Sequence, residues 1–332
     1  MKKTARKSCF CYDLFTIVLY NKVEYAKAPR EPLGCAPLHY AKAGFPMDRS
    51  RITPRLYWLI SAAVALVGVA LRSVCMLTAF DASVGYFNEG FLSLLTRAFY
   101  FPAVMIAVGC AALIPKGRLA TELNDQSRSP VAYLLGLSLV IFTLGVLLVC
   151  YKDRTNDFLT YPMALAILAA LYFFVSGKKA GRYTDGLSLL GFLPVIWCVT
   201  TAWETYTDQF TAVNSPVKIG LQMGFLGLAL ILLSELRFRL GKPLPRLAIA
   251  FMSIGLFCTL NGSIPVLLGT GIGVLDNTLH VFYASVLLCG GLYGAIALFR
   301  FLCPVKEAPS ESTVAVTDDA PSTPSADSPN VE

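Results

Sequence analysis

Apolar runs of roughly 18 to 22 residues recur along the chain, each long enough to cross a hydrocarbon core of about 30 Å as a helix, and this feature removes most folds from consideration. With 55% of its residues hydrophobic and only 15% charged, the chain carries more apolar surface than a soluble interior can hide. A closed barrel is the other way to span a bilayer, but it needs short alternating segments, and these runs are continuous. The expectation is an all-α, polytopic integral membrane helix bundle of about eight transmembrane helices, with spans near 56–77, 95–114, 131–150, 158–176, 186–206, 217–235, 247–268 and 279–302. Pro102, Pro162, Pro194 and Pro265 fall in or at the edges of these spans, which membrane helices tolerate when neighbours satisfy the freed backbone groups.

The charge pattern tests that count, because an error of one helix would scramble it. Basic residues gather in the N-terminal segment, in 116–128 (Lys116, Arg118, Arg128), in 178–182 (Lys178, Lys179, Arg182), in 237–246 (Arg237, Arg239, Lys242, Arg246) and beside the C-terminal span (Arg300, Lys306). Alternation puts all of these on one side and leaves Arg72, Arg97, Lys152, Arg154 and Lys218 as the exceptions among 28. By the positive-inside rule the crowded side is cytoplasmic, so the reading is a multi-pass cell (inner, cytoplasmic) membrane protein with both termini cytoplasmic. The net charge of +7 then follows from topology and anionic lipid, with no nucleic-acid partner to invoke.

Three regions follow. Residues 1–54 read as a basic cytoplasmic extension, partly disordered. Their basic start and short apolar stretch imitate a signal peptide, but Asp13 interrupts the stretch and export would carry Arg30, Lys42, Arg49, Arg51 and Arg55 to the wrong side. A start of translation at Met47 is the other reading, and both stay open. Residues 55–303 are the membrane domain. Residues 304–332, rich in Ser, Pro, Thr, Ala and Asp, cannot bury a core and should form a disordered cytoplasmic tail.

Two connections share letters: T-A-F-D at Thr78–Asp81 and T-A-W-E at Thr201–Glu204 close the first and fifth spans. I-F-T-L-G (Ile141–Gly145) and L-F-C-T-L-N-G (Leu256–Gly262) match at a similar offset. These matches suggest a 4+4 parallel internal repeat with halves 55–176 and 186–302. The stretch Thr78–Gly90 reads as an outer connection with Phe80, Tyr86 and Phe87 at the headgroup level and Asp81 and Glu89 in water.

Ionisable and amide groups inside a bilayer are costly, and six define the candidate outer cavity: Arg72, Asp81, Glu204, Gln222, Asn261 and His280. Arg72 suits an anionic group, pairing with Glu204 or Asp81, or snorkelling to phosphates. Glu204 follows Trp197 and Trp203, an interfacial signature. Gln222 and Asn261 suit interhelical hydrogen bonds or a cavity floor. N-G-S-I-P at Asn261–Pro265 can kink or break its helix. His280 stands beside Asp276 and Asn277 at the start of the eighth span, where a structural role is the ordinary one. Glu235 and Arg239 form an i,i+4 pair at a helix end.

No cofactor or metal is implied. G-T-G-I-G at Gly269–Gly273 lacks the strand and the Lys-Ser/Thr of a phosphate loop, most of the ten cysteines sit singly in spans, and Cys9 and Cys11 have no further ligand nearby. No passage carries a family signature. Eight spans, short loops and converging polar groups favour a small-solute transporter or permease component with a cavity lined by Arg72, Glu204, Gln222 and Asn261. The alternative is a non-catalytic accessory, sensor or scaffold protein meeting a protein partner, with a packed bundle and a structural Arg72. An intramembrane enzyme comes third, because no convergent acid, base and nucleophile set is present.

Overall fold

The computed structural model describes residues 52–82, 84–114, 130–152, 161–178, 185–208, 212, 214–241, 244–275 and 277–303, all within one compact unit, Arg49–Glu332. The expected N-terminal extension, tail and several basic loops lie outside the described residues. The elements are α1 (Pro54–Thr78), β1 (Phe80–Asp81), β2 (Tyr86–Phe87), α2 (Phe91–Leu113), α3 (Pro130–Lys152), α4 (Tyr161–Lys178), α5 (Asp185–Leu190), α6 (Phe192–Thr207), α7 (Pro216–Arg239), α8 (Pro245–Gly271) and α9 (Thr278–Leu302). Eight segments among them are long and apolar enough to cross a membrane, with α5 and α6 forming one span together. The fold is therefore the expected all-α multi-pass bundle, and its boundaries depart little from expectation: α2 begins at Phe91 where 95 was expected.

Side-chain bonds between distant segments fix how the spans alternate. Near the start of α1, the Tyr57 hydroxyl reaches the Ala107 carbonyl near the end of α2 at 3.1 Å and Ser253 Oγ near the start of α8 at 2.8 Å. The Trp58 indole donates to the Ala295 carbonyl late in α9 at 3.2 Å. Arg246 donates through Nε and Nη2 to the Ile114 carbonyl at 3.2 and 3.0 Å, placing a cation at the negative C-terminal end of α2. One end of the bundle accordingly holds Arg55, Lys178, Arg237, Arg239, Arg246 and Arg300, and is called here the basic end. The opposite end carries the β1–β2 hairpin, paired Phe80↔Phe87 and Asp81↔Tyr86, with Gly85 turning the chain at φ +76°.

Helices α7 and α8 form the centre and share the most extensive interface in the molecule. Lipid tails are as apolar as leucine, so close backbone packing must hold such helices together. Glycines provide it. A Cβ added at Gly262 would lie 2.5 Å from the Gly220 carbonyl oxygen, and one at Gly255 would lie 2.5 Å from that of Gly227. Gly290 and Gly294 of α9 receive Leu228 and Ile231 of α7 in the same way. The fifth span bends at Gly191, whose N–H reaches both the Leu187 and Ser188 carbonyls at 3.2 Å. Helix α8 runs unbroken through Asn261–Pro265, so the N-G-S-I-P segment exposes no helix break.

A two-fold relation between halves would make α2 the counterpart of α7. The most apolar stretch of α2 is only 22% buried, against 67% for α7, and α2 packs on α1 and α8 without a comparable seam to α3. The shared letters at Thr78 and Thr201 are thus not accompanied by equivalent packing.

Leu59, Leu66, Leu94, Met105, Leu148 and Ile167 face outward, as lipid-facing positions must. At the hairpin end Tyr151, Tyr161, Trp203 and Tyr206 are exposed and form an aromatic girdle. Phe87 instead turns inward onto the core and Phe80 meets it edge to face at 5.9 Å, so the hairpin packs down where a headgroup position had been expected.

Gly262→Ala should destabilise the bundle by about 1 to 3 kcal/mol through overpacking. Gly109→Ala, at an exposed helical position with no atom near the added methyl, should keep stability or raise it by up to about 1 kcal/mol. Unfolding of both variants in mixed micelles checks the contrast.

Candidate functional site

At the hairpin end, the last turns of α6 and the first turns of α9 diverge enough to leave a cleft of about 330 Å³. Its walls are Glu204, Thr205, Thr207 and Asp208 on one side and Leu279, His280 and Tyr283 on the other. Local rules set this arrangement. The Asp208 N–H closes α6 on the Glu204 carbonyl at 3.0 Å, and Asn277 Oδ1 caps α9 by accepting from the Leu279 and His280 N–H groups at 3.0 and 3.4 Å. Glu204 and Asp208 are then one turn apart on α6, and His280 and Tyr283 one turn apart on α9.

Of the two threonines, Thr205 donates to the Thr201 carbonyl at 2.8 Å and Thr207 to the Glu204 carbonyl at 3.1 Å, so each bonds its own helix. The chemistry of the cleft is left to Glu204, Asp208, His280 and Tyr283. Glu204 is half-buried, faces the Tyr283 hydroxyl and makes no salt bridge among the described residues. His280 is 7% exposed, and its Nδ1 has no hydrogen-bond partner among the described residues. Lys218, only 1% exposed, reaches from α7 to donate through Nζ to the Asp208 main-chain carbonyl at 2.6 Å, which ties the end of α6 to the start of α7. Among the described residues no three His, Cys, Asp or Glu side chains gather as a metal site.

The structure thus brings together two of the six sequence candidates, Glu204 and His280, and places the others elsewhere. Arg72 is buried and reaches from α1 to both α2 and α7: Nη1 donates to the Tyr100 hydroxyl at 2.8 Å and Nη2 to the Pro216 carbonyl. Its guanidinium occupies the space that a side chain at residue 220 would need, so Gly220 is what admits it. Asn261 is buried in α8, donating through Nδ2 to the Phe257 carbonyl at 2.9 Å beneath Gly68. Gln222 is half-buried with Nε2 unpartnered among the described residues, and Asp81 sits half-buried in the hairpin opposite Tyr86. Glu235, at the basic end, pairs with Arg239 and accepts from the Tyr293 hydroxyl.

Two titratable residues of the cleft wall and one buried lysine beside it escaped the sequence reading. Asp208 and Tyr283 were legible by spacing, four after Glu204 and three after His280. Lys218 counts only as an exception to the charge rule until its burial is seen. Trp197 was expected at the interface and is instead 1% exposed, within the core. Comparison of the chain with protein-family models, curated proteins and solved structures finds no match, so each role rests on the site itself.

Arg72→Gln should cost about 1.5 to 3 kcal/mol, the usual worth of hydrogen bonds from a charged donor, and should act on stability alone because Arg72 does not line the cleft. Thermal unfolding in nanodiscs, with and without a cleft ligand, separates the two effects.

Proposed function

We propose that the protein is a small-solute transporter or permease component whose binding site is the cleft between the end of α6 and the start of α9. The observation that carries this reading is the convergence of Glu204, Asp208, His280 and Tyr283 on a 330 Å³ space at one end of a bundle that is glycine-packed at its centre. A site closed beneath and open at one end fits one stage of an alternating-access cycle, with small-residue seams as the surfaces along which helices slide. The positive-inside rule puts the basic end in the cytoplasm and the cleft on the outer face of the cell membrane.

A second reading, an accessory or sensor protein, draws support from Arg72. That side chain is held by Tyr100 and Pro216, as a structural residue would be, and lies away from the cleft.

Thermal unfolding in nanodiscs against cationic, anionic and neutral solutes tests the proposal, because a ligand of the native state raises stability by about 2.7 kcal/mol at a hundred times its Kd. Glu204→Gln and His280→Gln should each cut the shift by about half or more while unfolding normally without ligand. Uptake of the stabilising solute into proteoliposomes supports transport, and binding without uptake favours a sensor. No shift with any solute would remove the cleft as a site.

A further inference from the structure

Directly behind the cleft, four aromatic rings from four different spans close on one another. Trp197 of α6 meets Phe142 of α3 at 5.9 Å between centroids, Phe142 meets Tyr283 of α9 at 5.3 Å, Tyr283 meets Phe225 of α7 at 5.6 Å, and Phe225 returns to Trp197 at 5.5 Å. All four are buried, and Tyr283 belongs both to this ring of rings and to the cleft wall. The rings fill the space between them and Tyr283 alone of the four lines the cleft, so a cation admitted behind a displaced Tyr283 would lie within the roughly 6 Å over which an aromatic quadrupole attracts it. We propose that the solute of the cleft is a small organic monocation, its ammonium or quaternary ammonium group received by Trp197, Phe142, Phe225 and Tyr283 and drawn in by Glu204.

The proposal rests on the cleft being a solute site, and three further observations carry it to this class. Glu204, at the mouth, makes no salt bridge among the described residues, so an arriving cation meets an uncommitted carboxylate beside the Tyr283 hydroxyl. Among the described residues the buried Trp197 Nε1 and Thr201 Oγ1 have no hydrogen-bond partner, and neither has His280 Nδ1 in the cleft wall. Trp197 and Thr201 share the α6 face that leads up to Glu204, four and three residues apart. Leaving such donors unpaired costs about 1 to 3 kcal/mol each, and a bound polar ligand is one arrangement that satisfies them. The fitting ligand therefore joins an ammonium head to an oxygen acceptor. Lys218, bonded to the main chain of Asp208, offsets part of the acidity at the mouth, which suits a single positive charge. The rings touch at these spacings, so entry requires Tyr283, the ring shared with the cleft, to swing aside.

Choline and its uncharged isostere 3,3-dimethylbutan-1-ol are the probes, applied to the full chain in nanodiscs. The chain has three tryptophans, so Trp58→Phe with Trp203→Phe leaves Trp197 as the fluorescent reporter. Choline should change Trp197 emission and raise the unfolding temperature, and the isostere should do neither. Glu204→Gln and Phe225→Leu should each weaken choline about tenfold, the loss of roughly one cation contact. Calorimetric titration of the unmodified chain serves if the two-tryptophan variant does not fold. Equal binding of the two probes overturns the cation class. So does a different solute that stabilises through Glu204 while choline does not, and that result leaves the cleft itself standing as a site. Binding of no solute at all removes both the cleft and its ligand class.

Discussion

The backbone contact between α7 and α8 is the constraint on which the rest of the structure depends. In lipid there is no water to expel from between helices, so association must come from van der Waals contact and hydrogen bonds. Gly220 against Gly262 and Gly227 against Gly255 bring two backbones to a separation that a methyl group would forbid. The remaining spans pack around that pair: α9 against both, α1 and α2 on α8, α6 on α7, with α3 and α4 completing the side beyond α9 and α6. The cleft inherits its position from this centre, since α7 supplies Phe225 behind it and Lys218 beside it.

Buried charge is handled differently at the two ends. Helix α9 places a tyrosine near a carboxylate at each: Tyr293 donates to Glu235 at the basic end, and Tyr283 shares the cleft wall with Glu204 at the hairpin end. Glu235 is completed by Arg239 and is a closed structural pair. Among the described residues Glu204 has no such cation, and it lines an open space. The buried cations Arg72 and Lys218 reach main-chain carbonyls, of Pro216 and Asp208, which fix the ends of α7 and α6. A carbonyl dipole offers a buried cation partial compensation without bringing a second charge out of water. The asymmetry between the two carboxylates separates the candidate site from the scaffold.

Much of the fold was legible, because span length, proline tolerance and basic-residue alternation each report directly on the bilayer. The site was legible in part. Glu204 and His280 could be singled out because ionisable groups near a membrane are rare, and Asp208 and Tyr283 were within reach of a helical-spacing argument. Arg72 was equally conspicuous, but its use depends on whether a glycine at 220 leaves room for its guanidinium. Trp197 and Trp203 are six residues apart on one helix and look alike in sequence. One joins the buried aromatic group and the other faces outward, because α6 presents them to different neighbours.

By itself, then, the sequence determined the number of spans, their ends, their alternation and the expected orientation, since each follows from the thickness of hydrocarbon and the cost of charge within it. Which polar side chains share a space was decided only by the tertiary structure. Glu204 and His280 are 76 residues apart (280 − 204), and Phe142, Trp197, Phe225 and Tyr283 come from four spans. Their meeting depends on the rotation of each helix about its axis, which for the central α7 and α8 is set by packing at Gly220, Gly227, Gly255 and Gly262, where shape selects the partner.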